Sequence, residues 1–103
     1  MIEWLSPWCE ADQSERDGLA AQLAKEIAVG HALDGERVIL IARRTDTDDA
    51  LFQLQDGRVA EVHMTWRQTR ETDPLWPATS IFPSLTEWAR KSMIPQHREH
   101  DAL

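Results

Sequence analysis

The chain of 103 residues is short of cysteine, short of basic charge and without any long apolar run. Cys9 is the only cysteine, which excludes an intrachain disulfide and favours a reducing compartment. The longest strongly apolar stretch, Val38 to Ala42, is far too short to cross a bilayer. Met1-Ile2-Glu3-Trp4-Leu5 lacks the basic start and apolar run of a signal peptide, so the expected location is the cytoplasm, with no membrane partner. Lysine and arginine number 11 against 18 acids, for a formal charge of -7. That sign repels a phosphate backbone, and the pairs Arg43-Arg44 and Arg67 with Arg70 are too sparse to form a concentrated basic patch. Nucleic acid is therefore not an expected partner. There is no glycine-rich phosphate loop, paired CxxC, HExxH or nucleophile elbow, no internal repeat, and no motif that asks for a cofactor.

What is present suffices for one core. The apolar share is 42%, too high for a disordered acidic segment, and the length fits a single domain over residues 1–103. The opening stretch, 1–12, has two tryptophans around Pro7 and no period, and reads as an irregular arm packed on the body. Ser14-Glu15-Arg16-Asp17 matches a capping box, with Asp12 and Glu15 as the alternative. Leu19, Ala20, Leu23, Ala24, Ile27 and Ala28 then recur at helical spacing, while Arg16, Gln22, Lys25 and Glu26 fall elsewhere, so the spacing predicts a helix over 15–29 ended by Gly30. Asp34-Gly35 marks a turn.

The β-branched run Arg37 to Arg43, the segment Ala50 to Gln55 and the segment Val59 to Trp66 predict three strands, the last two joined at Asp56-Gly57. In the third, Ala60, Val62, Met64 and Trp66 share one face; Val59, Glu61, His63 and Thr65 share the other. Residues 67–83 read as an ordered loop in which Ile81-Phe82 adds a short edge strand. Ser84 opens a helix over 85–94 that Pro95 limits, and the tail 95–103 either frays or adds a turn past a kink. The fold class expected is α+β: an antiparallel three- to four-stranded meander with an N-terminal and a C-terminal helix packed on one face, in the order helix-strand-strand-strand-helix.

Several segments resemble a family of small uncharacterised bacterial proteins. They are Gly30-His31-Ala32-Leu33-Asp34-Gly35, Asp46-x-Asp48-Asp49-x-Leu51-Phe52, Val62-His63-Met64-Thr65-Trp66, Trp76-Pro77 and Glu87-Trp88, the GHxLxG, DxDDxLF, VHxTW and WP patterns. The resemblance spans roughly residues 15–100. It implies a bacterial cytoplasmic origin, and no activity or residue role comes with it.

Among candidate site residues, Asp46, Asp48 and Asp49 resemble the start of a calcium loop but lack its central glycine and distal glutamate, so a hairpin turn is the plainer reading. His63, mid-strand between Glu61 and Thr65, is a candidate base or pH-sensitive contact; the plain alternative is a half-exposed sheet histidine paired with a neighbour. His97 and His100, with His31 or His63, are the remaining zinc candidates, against a mobile tail. Of the five tryptophans, Trp66 and Trp88 fall on core-facing positions, while Trp8 and Trp76, each beside a proline, are the candidate exposed platforms; the alternative is a shared aromatic minicore.

Arg37, Ile39, Ile41 and Arg43 on one strand, with Glu61, His63 and Thr65, and Trp76 from the loop, form an apolar centre with a charged rim if their strands share a face. That surface points to a non-catalytic, regulatory protein-binding role, toward a second copy or a partner. An inhibitor of a basic toxin, as immunity proteins are, fits the acidic charge. The alternatives are a small hydrolase or isomerase using His63 with Glu61 or one of the aspartates, and a structural subunit of a larger assembly.

Overall fold

A computed structural model describes residues 2–102 of the chain. Its elements are β1 (Trp8–Glu10), α1 (Gln13–Glu26), β2 (Val38–Arg44), β3 (Asp49–Leu54), β4 (Val59–His63), β5 (Thr79–Phe82), α2 (Leu85–Trp88), a π-helical turn (Ala89–Met93) and α3 (Ile94–Asp101). All five strands join one antiparallel sheet in the order β1-β2-β3-β4-β5. The expected three- to four-stranded sheet is thus corrected to five. Both additions are edge strands. The opening arm pairs Trp8, Cys9 and Glu10 with Arg44, Arg43 and Ala42, and Thr79–Phe82 pairs with β4. A three-residue strand is too short to display an alternation, so only its neighbour reveals β1.

The helices do not share a face either. Leu19, Leu23 and Ile27 pack with Leu40, Phe52, Ala60, Val62 and Met64 on one side of the sheet. Trp88, Ala89 and Met93 pack with Trp8, Leu51 and Val59 on the other, where Trp4 and Trp8 sit against Trp88 at ring-centroid distances of 6.0 and 5.0 Å. Every strand from β2 to β4 places apolar groups on both faces, and each face needs its own cover. The sheet itself stays open, with β1 and β5 as its free edges. Its second face remains uncovered at one end, where Ile39, beside Arg37 and Gln53, is exposed.

Helix α1 begins earlier than the first-named capping box implies. Asp12 is the cap: its side chain accepts from the Glu15 amide, and Glu15 reaches back to the Asp12 amide. It also ends three residues sooner than expected, Ile27 already being extended. Pro95 does not end the C-terminal helix. The wide π turn ahead of it absorbs the missing amide, and the helical path continues to Asp101. Its tail is docked, with His97 on the Ser6 carbonyl and Gln96 reaching the sheet.

Candidate functional site

The expected stripe is buried at Leu19, Leu23, Ile27 and Ala28, but its middle alanines are not the buried residues of α1. Gln22 and Glu26 are buried beside Leu19 and Leu23, and Ala24 is exposed. The fully buried Glu26 side chain has four donors. Its Oε1 accepts from the Thr65 amide (2.8 Å) and hydroxyl (2.6 Å), and its Oε2 from the Trp66 amide (3.0 Å) and Gln22 Nε2 (2.9 Å). Gln22 also donates to the Arg67 carbonyl (2.7 Å), and the Glu71 amide to the Glu26 carbonyl (3.3 Å). Two polar side chains one helical turn apart thus replace the sheet ladder just where β4 stops.

What they hold is strained. Trp66 has φ 60°, a left-handed conformation that costs a bulky residue roughly 1–3 kcal/mol unless its surroundings enforce it. The turn swings its indole off the core face of β4 and leaves it 47% exposed, which corrects the core-facing expectation. Farther along, His31 Nδ1 accepts from the Leu33 amide and Nε2 donates to the Pro77 carbonyl, both at 2.9 Å, so the buried imidazole is a strut for the 74–78 segment. Gly30 stands 3.7 Å, measured from an ideal Cβ, from Pro74, at a φ of 89° that suits glycine. The chain tied to the end of α1 forms a corner, and among its residues Val29 (74%), Leu75 (77%), Trp66 and Trp76 (47% each) are exposed. Of the two candidate platforms, Trp76 is exposed; Trp8 is buried against Trp88 in an aromatic minicore, and its indole N–H donates to Gln96.

Beside this corner, α1 and the 45–49 turn enclose a cleft of about 410 Å³. Gly18, Leu19 and Ala50 line its apolar part, and Trp66, Asp48 and Arg43 its polar part. Arg43 pairs with Glu15. Arg44 pairs with Asp46 (2.8 Å) and donates to Gln96. The Asp46 bond raises the Arg44 pKa, and in return holds the Asp46 carboxyl below its ordinary value.

No protein-family model, curated protein or solved structure matches this chain.

The expected sheet patch is divided by the fold. β2 and β3 slip register between Leu40 and Ala42, so β2 carries one extra residue. That bulge reverses the alternation and turns Arg43 toward α1, away from Ile39. Ile41 packs under the C-terminal helix. Glu61 lies there too, accepting from Trp88 Nε1 (2.8 Å) and Ser92 Oγ (2.5 Å), with Gln96 alongside. Thr65 is engaged by Glu26. Only Arg37, Ile39, His63 and Trp76 remain exposed outside such contacts, and they do not adjoin as one strand face.

His63 pairs with Asp49 rather than Glu61. Its Nδ1 lies 3.0 Å from Asp49 Oδ1, and Thr47 Oγ1 donates to Asp49 Oδ2 (2.6 Å). Alternation puts Glu61 and His63 on one face, but Glu61 is taken by the helix above it, and the cross-strand partner Asp49 meets the imidazole. Asp46 and Asp49 thus turn to different partners, and Asp48 makes no side-chain hydrogen bond or ion pair among the described residues. Among those residues no group of three His, Cys, Asp or Glu side chains is placed to hold a metal. None of their helices is long and apolar enough to cross a membrane.

Glu26 and Gln22 are the residues sequence reasoning missed. A signal existed: Leu19, Gln22, Leu23, Glu26 and Ile27 follow the i, i+3, i+4, i+7, i+8 pattern of a buried stripe. Two polar residues on it mark a place where a helix grips something other than apolar side chains.

Proposed function

We propose that the chain is a non-catalytic binding protein whose partner is a basic protein, docked on the corner formed by Val29, Trp66, Leu75 and Trp76. The observation that carries the reading is four large exposed apolar side chains on segments joined to the end of α1, two of those segments fastened by Glu26 and His31. Aromatic anchors on a fixed backbone lose little entropy on binding and dominate interface energies. A net charge of -7 favours a basic partner, and speeds its approach, over a second acidic copy. A basic toxin, which the chain would inhibit, is one such partner class. The open end of the sheet, with Ile39 its only large exposed apolar group, supports this role less well. The family resemblance adds a bacterial setting and no activity.

The test is co-purification from the source cell with partners identified by mass spectrometry. A basic partner is expected, held less tightly as salt rises. Leu75→Asp and Trp76→Ala are expected to weaken the complex by about tenfold or more while leaving the urea midpoint unchanged. A partner retained by both variants, or a stable homodimer that Leu75→Asp dissolves, would sink the reading.

A second reading rests on the Thr47–Asp49–His63 array. A carboxylate on Nδ1 leaves Nε2 free as a base, the orientation used in hydrolases. His63 is half exposed and lies outside the lining of the 410 Å³ cleft, which ranks this reading second. Turnover of a chromogenic ester that His63→Gln abolishes, with folding intact, would promote it; equal rates in both proteins would end it.

A further inference from the structure

We infer that the cleft between α1 and the 45–49 turn receives an arginine side chain of the basic partner. This rests on the binding role proposed above and adds which side chain the partner presents and where it goes.

Three properties of the cleft select a guanidinium. The first is charge. Each of its two cations is already engaged, Arg43 by Glu15 and Arg44 by Asp46 and Gln96, and Asp49 is engaged by Thr47 and His63. Asp48 is left, exposed and with its carboxylate free of any partner among the described residues. An entering anion would meet that carboxylate and find no unpaired cation; an entering cation would meet its complement.

The second is shape. A side chain reaching Asp48 passes over Leu19 and Ala50, which suit a methylene stem, and past Gly18, where an added Cβ would meet nothing within 4 Å. The volume of about 410 Å³ holds one long side chain with room for water.

The third is the indole. Trp66 lines the same cleft, half exposed, and its position is set by the left-handed turn that Glu26 enforces. A planar cation stacks on such a face while its edge donates to a carboxylate, a combination that arginine makes better than lysine. The strain at Trp66 gains a purpose on this view. Without the turn, alternation would drive the ring toward the core side of the sheet, and the cleft would lose its aromatic wall.

The experiment is an amide-resolved NMR titration of the full chain with a short arginine-rich peptide, a matched lysine peptide and inorganic phosphate. With the arginine peptide, shifts are expected at Gly18, Asp48 and the Trp66 indole N–H, and weaker ones with the lysine peptide. Asp48→Asn is expected to weaken binding about tenfold. Gly18→Leu fills the cleft from an exposed helical position without threatening the fold, and should abolish the shifts. Absence of shifts at these three residues, unchanged affinity in both variants, or shifts produced by phosphate instead would overturn the inference. If a co-purified partner still binds Asp48→Asn and Gly18→Leu at full strength but loses Leu75→Asp, the cleft is refuted while the docking corner stands.

Discussion

Two glutamates, one under each face of the sheet, perform the same task in different ways. Glu26 projects from a helix and takes the backbone amides of Thr65 and Trp66. Glu61 projects from a strand and takes the side chains of Trp88 and Ser92. The first holds irregular chain that has no sheet ladder of its own, and so shapes the exposed corner and the cleft. The second fastens a helix that already buries Trp88 and Met93, and it reinforces packing that exists without it. A polar anchor decides conformation where the backbone has no other partner, and adds only stability where apolar contacts already specify the answer.

Removing each anchor tests that contrast. Glu26→Ala leaves the Thr65 and Trp66 amides, the Thr65 hydroxyl and one of the two Gln22 Nε2 hydrogens without their acceptor, and should cost about 3–5 kcal/mol in urea denaturation. It should also open the 64–73 segment to proteolysis. If the loop stays protected, Glu26 does not hold it. Glu61→Ala should cost less, about 2 kcal/mol, because it strands two side-chain donors, the Trp88 indole N–H and the Ser92 hydroxyl, and no backbone amide, while the half-buried Gln96 can turn to water. No new cleavage site is expected, and one in 85–101 would show that the helix also depends on its polar anchor. His63→Ala, at an exposed pair, should change stability by no more than about 0.5 kcal/mol.

The smallest effect is expected from acid. The Arg44 guanidinium holds the Asp46 carboxyl down, and the Asp73 and Thr72 amides with Arg67 hold Glu71 down. Arg90 does the same for Glu87. Since the unfolded chain then binds protons more readily, the stability from these groups is complete above the ordinary carboxylate range. It is lost as pH falls through that range toward the lower folded-state values. The urea midpoint should hold from neutrality to about pH 5 and decline gently below about pH 4. A steep loss above pH 5 would show that groups other than these three carry the acid response.

The main body of the fold is legible from local pattern. The apolar periodicity of 19–27, the β-branched run at 38–41 and the Asp56-Gly57 turn place one helix and three strands near their observed positions. The edge strands are not legible, because a strand of three or four residues owes its conformation to the neighbour that pairs with it. The side on which each helix lies is not legible either. Apolar groups on both faces of β2 to β4 admit covers on one side or two, and chain connection decides between them. For the site, exposure of Trp76 and an aspartate for His63 were within reach. The β2 bulge was not, since one added residue in a continuous apolar run leaves no mark on composition, yet it moves Arg43 to the opposite face.

By itself, the sequence determined an acidic chain without disulfides, one core, and helices and strands of fixed periodicity. Tertiary structure alone decided which acids are fasteners and which face solvent. A carboxylate buried among four donors and one in water are the same residue in the chain, and only the neighbours that folding brings, from as far as Trp66 to Glu26, distinguish them.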